Sequence, residues 1–322
     1  MVRSYDFKLF SEYPVTLFSF TGQCINDLNT GLLQKRVPRG LEMSIELPEA
    51  KILADQMNIE LKGKCIKSYR LRDCEKLQKI GFINKDTQSF DQLVNREVES
   101  VTSRGNAIRL KLDEEMNIIL SPEYGGEIFY HSHVTMVPEK FHLRIDFSDK
   151  TALTARFTSM GGMMVLKDAE LMNSYVFKRD FNPEILSAVE EDFTFERFSK
   201  LLADNNRALK AVLVGKDAIL VGLSNSAFQD IIYRAKLHPK RKASELNLNE
   251  QKALYNSVKL VVRERLRLNG KNQFLDLYQN QGHYISTMGP NMRKKNCPVC
   301  GSPIQELSLG GGKVFVCPKC QV

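Results

Sequence analysis

Cys297-Pro298-Val299-Cys300-Gly301 and Cys317-Pro318-Lys319-Cys320-Gln321 set two Cys-x-x-Cys pairs sixteen residues apart near the C-terminus. Two such pairs supply four thiolates at the spacing that closes a tetrahedral site on Zn²⁺. Two disulfides are the other use of four cysteines, but the spacing and the lack of a signal peptide argue against them. Cys24, Cys65 and Cys74 are scattered and odd in number, as expected of free thiols in a reducing cytoplasm. A segment this short cannot bury enough apolar surface to fold alone, so the metal must supply the folding energy. Between the pairs, Gly310-Gly311-Gly312-Lys313 reads as a hairpin tip and Val314-Phe315-Val316 as its return strand. Lys313 at that tip could reach a backbone phosphate.

Upstream of the cysteines the pattern is helical. Asn182 reads as a cap and Pro183 as a first helical residue, with helices expected over 183–191, 194–203, 205–213, 226–235 and 249–268. Gly222-Leu223-Ser224-Asn225 is a short turn between two of them. Lys236-Leu237-His238-Pro239-Lys240-Arg241-Lys242 is a basic loop. Helix starts with cations nearby suit phosphate; by itself the loop reads equally as a solvated basic segment.

Residues 98–166 have strand character. Ile108, Leu110 and Leu112 alternate with Arg109 and Lys111, and Leu143, Ile145 and Phe147 alternate with Arg144 and Asp146. Ser148-Asp149-Lys150 turns the chain toward Thr151–Phe157, so the whole reads as an antiparallel sheet with one wet face. Gly125-Gly126 and Gly161-Gly162 are its expected tight turns or loop tips. Before the sheet, Pro48 starts a helix and Gly63 stops it, with Ala50, Leu53, Ala54, Met57 and Leu61 on one face. Glu46 and Glu49 flank its start, where negative charge complements the helix dipole.

Residues 1–42 carry Phe7, Phe10, Tyr13, Phe18 and Phe20 without any period. They close on the basic, turn-prone run Lys35–Gly40, and Met43 follows at once. They read either as a natural extension or as a segment upstream of a start at Met43. The chain of 322 residues has a formal charge of +8, with 46 Lys+Arg against 38 Asp+Glu. That balance is compatible with nucleic acid without requiring it. With 43% apolar and 26% charged residues the composition is that of an ordinary globular protein, and no uninterrupted apolar run is long enough to span a membrane.

Taken in order, these segments resemble one family. Ile45-Glu46-Leu47-Pro48-Glu49 opening a helix, a sheet domain, Gly222-Leu223-Ser224-Asn225, Leu237-His238-Pro239 and the two cysteine pairs are similar, over residues 43–322, to the formamidopyrimidine-DNA glycosylases and endonucleases VIII. The resemblance implies an α+β fold: an N-terminal antiparallel β-sandwich with its helix (43–180), a helix–two-turns–helix domain (181–288) and a zinc-finger β-hairpin (289–322), with 1–42 of doubtful status. It implies a monomeric, cytoplasmic DNA-repair enzyme, nucleoid-associated when bound. Such an enzyme excises oxidised bases from duplex DNA after flipping the damaged nucleotide out of the stack. One structural zinc ion on Cys297, Cys300, Cys317 and Cys320 is implied as well.

Site residues follow from the same resemblance. The family nucleophile is an N-terminal proline whose amine forms a Schiff base with the sugar, and strand cleavage by elimination follows. Here Ile45 takes that place. Glu46 matches the family's proton-handling glutamate, and Glu49 the second glutamate of the motif. Asn225 matches an asparagine that holds phosphates beside the flipped nucleotide. Asn106 takes the place of a catalytic lysine, and Gly312, beside Lys313, that of a family arginine. Tyr124, and more weakly Met160, are candidate wedges for the vacated base position. Lys51 and Lys216 are conceivable replacement amines that spacing does not select. The frame is thus better preserved than the chemistry. A glycosylase with a doubtful lyase step is expected, and a non-catalytic lesion- or structure-specific DNA binder is the alternative. A zinc-ribbon protein acting on proteins or RNA is a third reading, and the helical segment argues against it.

Overall fold

The computed structural model describes residues 44–157 and 160–322, without the side chain of Met160. The readings of residues 1–42 and of Met160 as a wedge lie outside the described residues.

Helix α1 (Leu47–Leu61) forms as the apolar spacing predicts: Ala50, Leu53, Ala54, Met57 and Leu61 are all buried. It packs against β2 (Val98–Arg104). The chain passes through β1 (Ile66–Leu71) and the short α2 (Glu75–Lys79) before β2. It then runs through β3 (Ala107–Leu112), β4 (Met116–Tyr124), β5 (Glu127–His131), β6 (Leu143–Phe147), β7 (Ala152–Arg156) and β8 (Met160–Lys167). These strands make two antiparallel four-stranded sheets, in the orders β1-β6-β7-β5 and β2-β3-β4-β8. In β3 and β6 the apolar residues are buried while their polar neighbours are half-exposed, as alternation requires. Ile66, Val101, Leu110, Ile118, Ile145, Leu153 and Val165 meet in one core with the inner face of α1, so the sheets form a sandwich.

Gly161-Gly162 does not make a turn. Both residues lie inside β8, where Gly162 pairs with Ser121. The Met163 N–H donates to the Phe82 carbonyl at 2.8 Å. A Cβ on Gly162 would lie 2.4 Å from that same oxygen, so glycine is there for close backbone approach.

The helical part comprises α3 (Tyr175–Asp180), α4 (Phe195–Ala203), α5 (Leu209–Val214), α6 (Asn225–Arg234) and α7 (Leu248–Arg267). No helix forms over 183–191. The Arg104 guanidinium takes the carbonyls of Asp180, Asn182 and Ile185 at 2.6–2.7 Å and pairs with Glu190, so those carbonyls do not enter a helical ladder. The helix expected from 205 begins only at Leu209, whose N–H is engaged by the Arg241 carbonyl. The basic loop 236–242 is tied down rather than free: the His238 N–H donates to the Val322 carbonyl, and Arg241 pairs with Glu250.

The hairpin β9 (Gln305–Leu309) and β10 (Gly312–Val316) closes the fold. Val314 and Val316 enter the helical core beside Phe228 and Val258, and Leu47 of α1 joins the same core. Phe274 and Leu277, beyond α7, return to the sandwich core. The described residues therefore pack as one body, and the seams between its parts carry the polar residues considered next.

Candidate active site

α1 begins where three parts of the chain meet. Glu46 is its N-cap, and the Glu46 N–H donates to Glu49 Oε2 at 3.2 Å. Glu46 Oε1 accepts from the N–H groups of Ser224 (2.7 Å) and Ala227 (3.2 Å), so the carboxylate of the residue that begins α1 caps the start of α6. Glu46 Oε2 is ion-paired with Arg265 Nη1 and lies 3.5 Å from Lys271 Nζ. Glu49 accepts from Arg265 Nη2 at 2.6 Å and Nε at 3.1 Å, and from the Lys271 N–H at 3.1 Å. Two carboxylates and two cations thus form a buried cluster of zero formal charge. Burial would push the Glu46 carboxyl up; Arg265 first, then Lys271 and the Ser224 and Ala227 bonds, outweigh it and hold it at about 2. Glu46 is an anion at neutral pH.

In front of this cluster lies a cleft of two chambers, about 390 and 420 Å³. Ser44, Tyr124, Ser224, Asn225 and Gly312 line both. Asn106, Arg179, Lys210 and Lys216 face the first chamber; Gln229, Lys271 and Asn272 face the second. Glu46, 1% exposed, sits behind this wall.

Asn225 is the first residue of α6, with Ser224 as cap. Its Nδ2 donates to the Lys313 carbonyl at 2.8 Å, while its Oδ1 is buried without a hydrogen-bond partner. Lys313 stands in β10, just past the tip, and its ammonium is paired with Glu306. Tyr124 ends β4 and pairs across to Ser44. Asn106 lies in the β2–β3 turn, where its Oδ1 accepts from Arg179 Nη2 at 2.6 Å. Arg179 also pairs with Glu123 (2.6 Å) and Asp180 (2.7 Å). Of the amines named from sequence, Lys51 lies on α1 paired with Asp55, away from the cleft, and Lys216 is on its rim.

Arg179, Lys210, Arg265 and Lys271 were not singled out by the sequence. Arg265 had a signal: on α7 the buried positions Leu254, Val258, Val261 and Val262 lead to it at helical spacing. An arginine on an apolar stripe demands a buried anion. Lys271 and Arg179 sit on irregular or short segments with no such period.

At the hairpin, the four cysteine sulfurs lie within 4.8 Å of one another, with Cys297–Cys320 at 3.8 Å and Cys300–Cys317 at 3.4 Å. Tetrahedral Zn²⁺ with Zn–S bonds of about 2.3 Å needs sulfurs about 3.8 Å apart, so the set fits one structural zinc ion.

Comparison with known proteins matches this architecture part by part. Residues 45–160 match the formamidopyrimidine-DNA glycosylase N-terminal domain, 183–274 its H2TH domain, and 294–322 a zinc finger found in these glycosylases and in isoleucyl-tRNA synthetases. The chain belongs to the formamidopyrimidine-DNA glycosylase family. Similar relatives include the formamidopyrimidine-DNA glycosylases of Ligilactobacillus salivarius (24% identical, covering 86% of this chain and 98% of the relative) and Heliobacterium modesticaldum (26%, 86% and 99%). Its fold is that of Lactococcus lactis Fpg solved with abasic-site DNA (TM-score 0.74, 18% identity, 86% and 99% covered). It is also that of Thermus thermophilus MutM (0.71, 19%, 86% and 98%). By family it is a DNA glycosylase with a zinc finger. Among the described residues no helix is long and apolar enough to cross a membrane.

Proposed function

We propose that this protein, acting as a monomer, excises oxidised bases from duplex DNA by drawing the damaged nucleotide out of the stack and into the cleft. The observation that carries the reading is the cleft itself: the segments matched by the three family models converge on it, and each chamber is of a size that holds a ligand. Extrusion is a physical necessity, because the sugar carbon of a stacked nucleotide cannot be reached.

In this reading Glu46 is the reacting carboxylate. Held as an anion, it acts as a base toward the attacking group and stabilises positive charge developing on the sugar. Glu49 acts through Arg265 and is a positioning residue. Asn225, Lys313 and the Asn106 wall, backed by the Arg179 guanidinium, hold the strand. Tyr124, at the junction of the chambers, fills the space left by the extruded base.

The test uses end-labelled duplexes carrying one oxidised purine, one oxidised pyrimidine or one abasic site. Wild-type protein should give strand breaks from an oxidised-base duplex after hot alkali, and Glu46→Gln should abolish them while still binding. Base release by Glu46→Gln at the wild-type rate, or tight binding with no base release from any lesion, would overturn the assignment. The second result would point to a DNA binder without chemistry.

A further inference from the structure

Cutting the strand at an abasic site by elimination requires a protein amine, and the backbone around Ile45 supplies none. The Ile45 nitrogen is an amide whose N–H is engaged by the Glu123 carbonyl at 2.9 Å. We propose that Lys271 is the amine of this site. It condenses with the abasic deoxyribose that the reaction proposed above leaves behind, and the inference rests on that reading.

Four observations place it there. Lys271 is only 6% exposed, an unusual state for a lysine, yet it lines the second chamber. Its Nζ donates to the carbonyl and to the hydroxyl (3.3 Å) of Ser44, the residue that lines both chambers immediately before Ile45. Its partners at closest range are thus neutral oxygens, and the Glu46 carboxylate stands off at 3.5 Å. Contrast Lys64, which lines neither chamber and whose ammonium is locked on Asp149 at 2.6 Å. Finally, the protonated imine of a lysine is a cation, and the ionised Glu46 carboxylate beside Nζ stabilises that charge without rearranging. Lys210, also buried at the cleft, is held by the Leu309 carbonyl, and among the described residues no carboxylate is paired with it.

The chemistry balances with nothing beyond water. The Lys271 ammonium cedes a proton to water in the chamber, the free amine adds to C1′ of the ring-opened aldehyde, and the adduct regains a proton as its hydroxyl leaves as water, giving the protonated imine. Water takes a proton from C2′, whose electron pair moves into the C2′–C3′ bond, and the C3′–O bond breaks with the phosphate as leaving group. Water then hydrolyses the imine, returning the amine and an unsaturated aldehyde.

The full-length protein would be incubated with an abasic-site duplex and cyanoborohydride, digested, and its DNA-bearing peptide sequenced by mass spectrometry. The expected cross-link is on Lys271, and it should fall to background in Lys271→Arg, which keeps the cation of the buried cluster but cannot form the stable imine. Mapping in the wild-type chain does not depend on how any variant folds. A cross-link on Lys210, on another lysine or on the terminal amine would overturn the proposal. So would undiminished trapping by Lys271→Arg, or no trapping from a duplex the protein binds. Base release by wild-type protein, read after hot alkali on the oxidised-base duplex, reports separately on the glycosylase reading. Release without trapping removes Lys271 alone.

Discussion

Arg265 bridges Glu46 and Glu49 from a position 1% exposed. A charge so deeply buried persists only because both carboxylates meet it. The cost of breaking it is set by pH. The Glu46 carboxyl falls from an ordinary 4.5 to about 2 on folding, so the folded state holds fewer protons than the unfolded one in that window. Its stabilisation is complete above pH 4.5 and is lost as the pH falls toward 2, amounting to about 3 kcal/mol. Urea unfolding at a series of pH values should show a steep acid limb between 4.5 and 2 in wild-type protein and a shallower one in Glu46→Gln. Equal acid limbs would mean that the cluster does not hold Glu46 ionised. At neutral pH the same variant should be less stable by about 3–5 kcal/mol, because Arg265 loses one of its two anions.

At the scale of elements, the site depends on how closely the start of α6 approaches the sandwich. Gly222 has φ +70°, and a Cβ there would lie 2.5 Å from the carbonyl carbon of Gly105 in the β2–β3 turn. Gly222→Ala therefore combines a left-handed backbone with a clash against another backbone. It should cost about 2 kcal/mol or more in urea unfolding and displace the Ser224 N–H from Glu46; unchanged stability would show that the two turns separate at little cost. This contact also marks what a linear reading can and cannot see. α1, β3, the β6–β7 hairpin and α7 were legible because each carries its own period and its own stop. The four cysteines were legible from their own spacing, and Glu46 and Asn225 from the stretches that carry the family resemblance. The lost helix at 183–191 was not, since its carbonyls are claimed by Arg104, some eighty residues earlier in sequence. Lys271 escaped for the same reason: its partners are Ser44 and Glu46, and nothing near residue 271 announces them. Gly161-Gly162 was misassigned because glycine pairs signal turns and close backbone approach alike.

For the whole molecule, the zinc-bearing hairpin contributes to the cleft as well as to itself. β10 sends Val314 and Val316 into the helical core, offers the Lys313 carbonyl to Asn225, and places Gly312 in the lining of both chambers. Removing the metal from a segment too small to fold alone should release those contacts together. Four cysteines around one ion predict one equivalent of zinc liberated by a strong chelator. The sandwich, with a core of its own built on α1 and eight strands, should remain folded, so far-ultraviolet dichroism should change only slightly. DNA affinity should fall sharply. In addition, the phosphate contact proposed for Lys313 predicts a shallower slope of log affinity against log salt, because that contact would no longer release a counterion. Fluorescence anisotropy on one lesion duplex across a salt series, with and without chelator, measures both. A parallel downward shift with unchanged slope would mean that the hairpin shapes the cleft without touching phosphate. Unchanged affinity would remove it from the binding surface altogether.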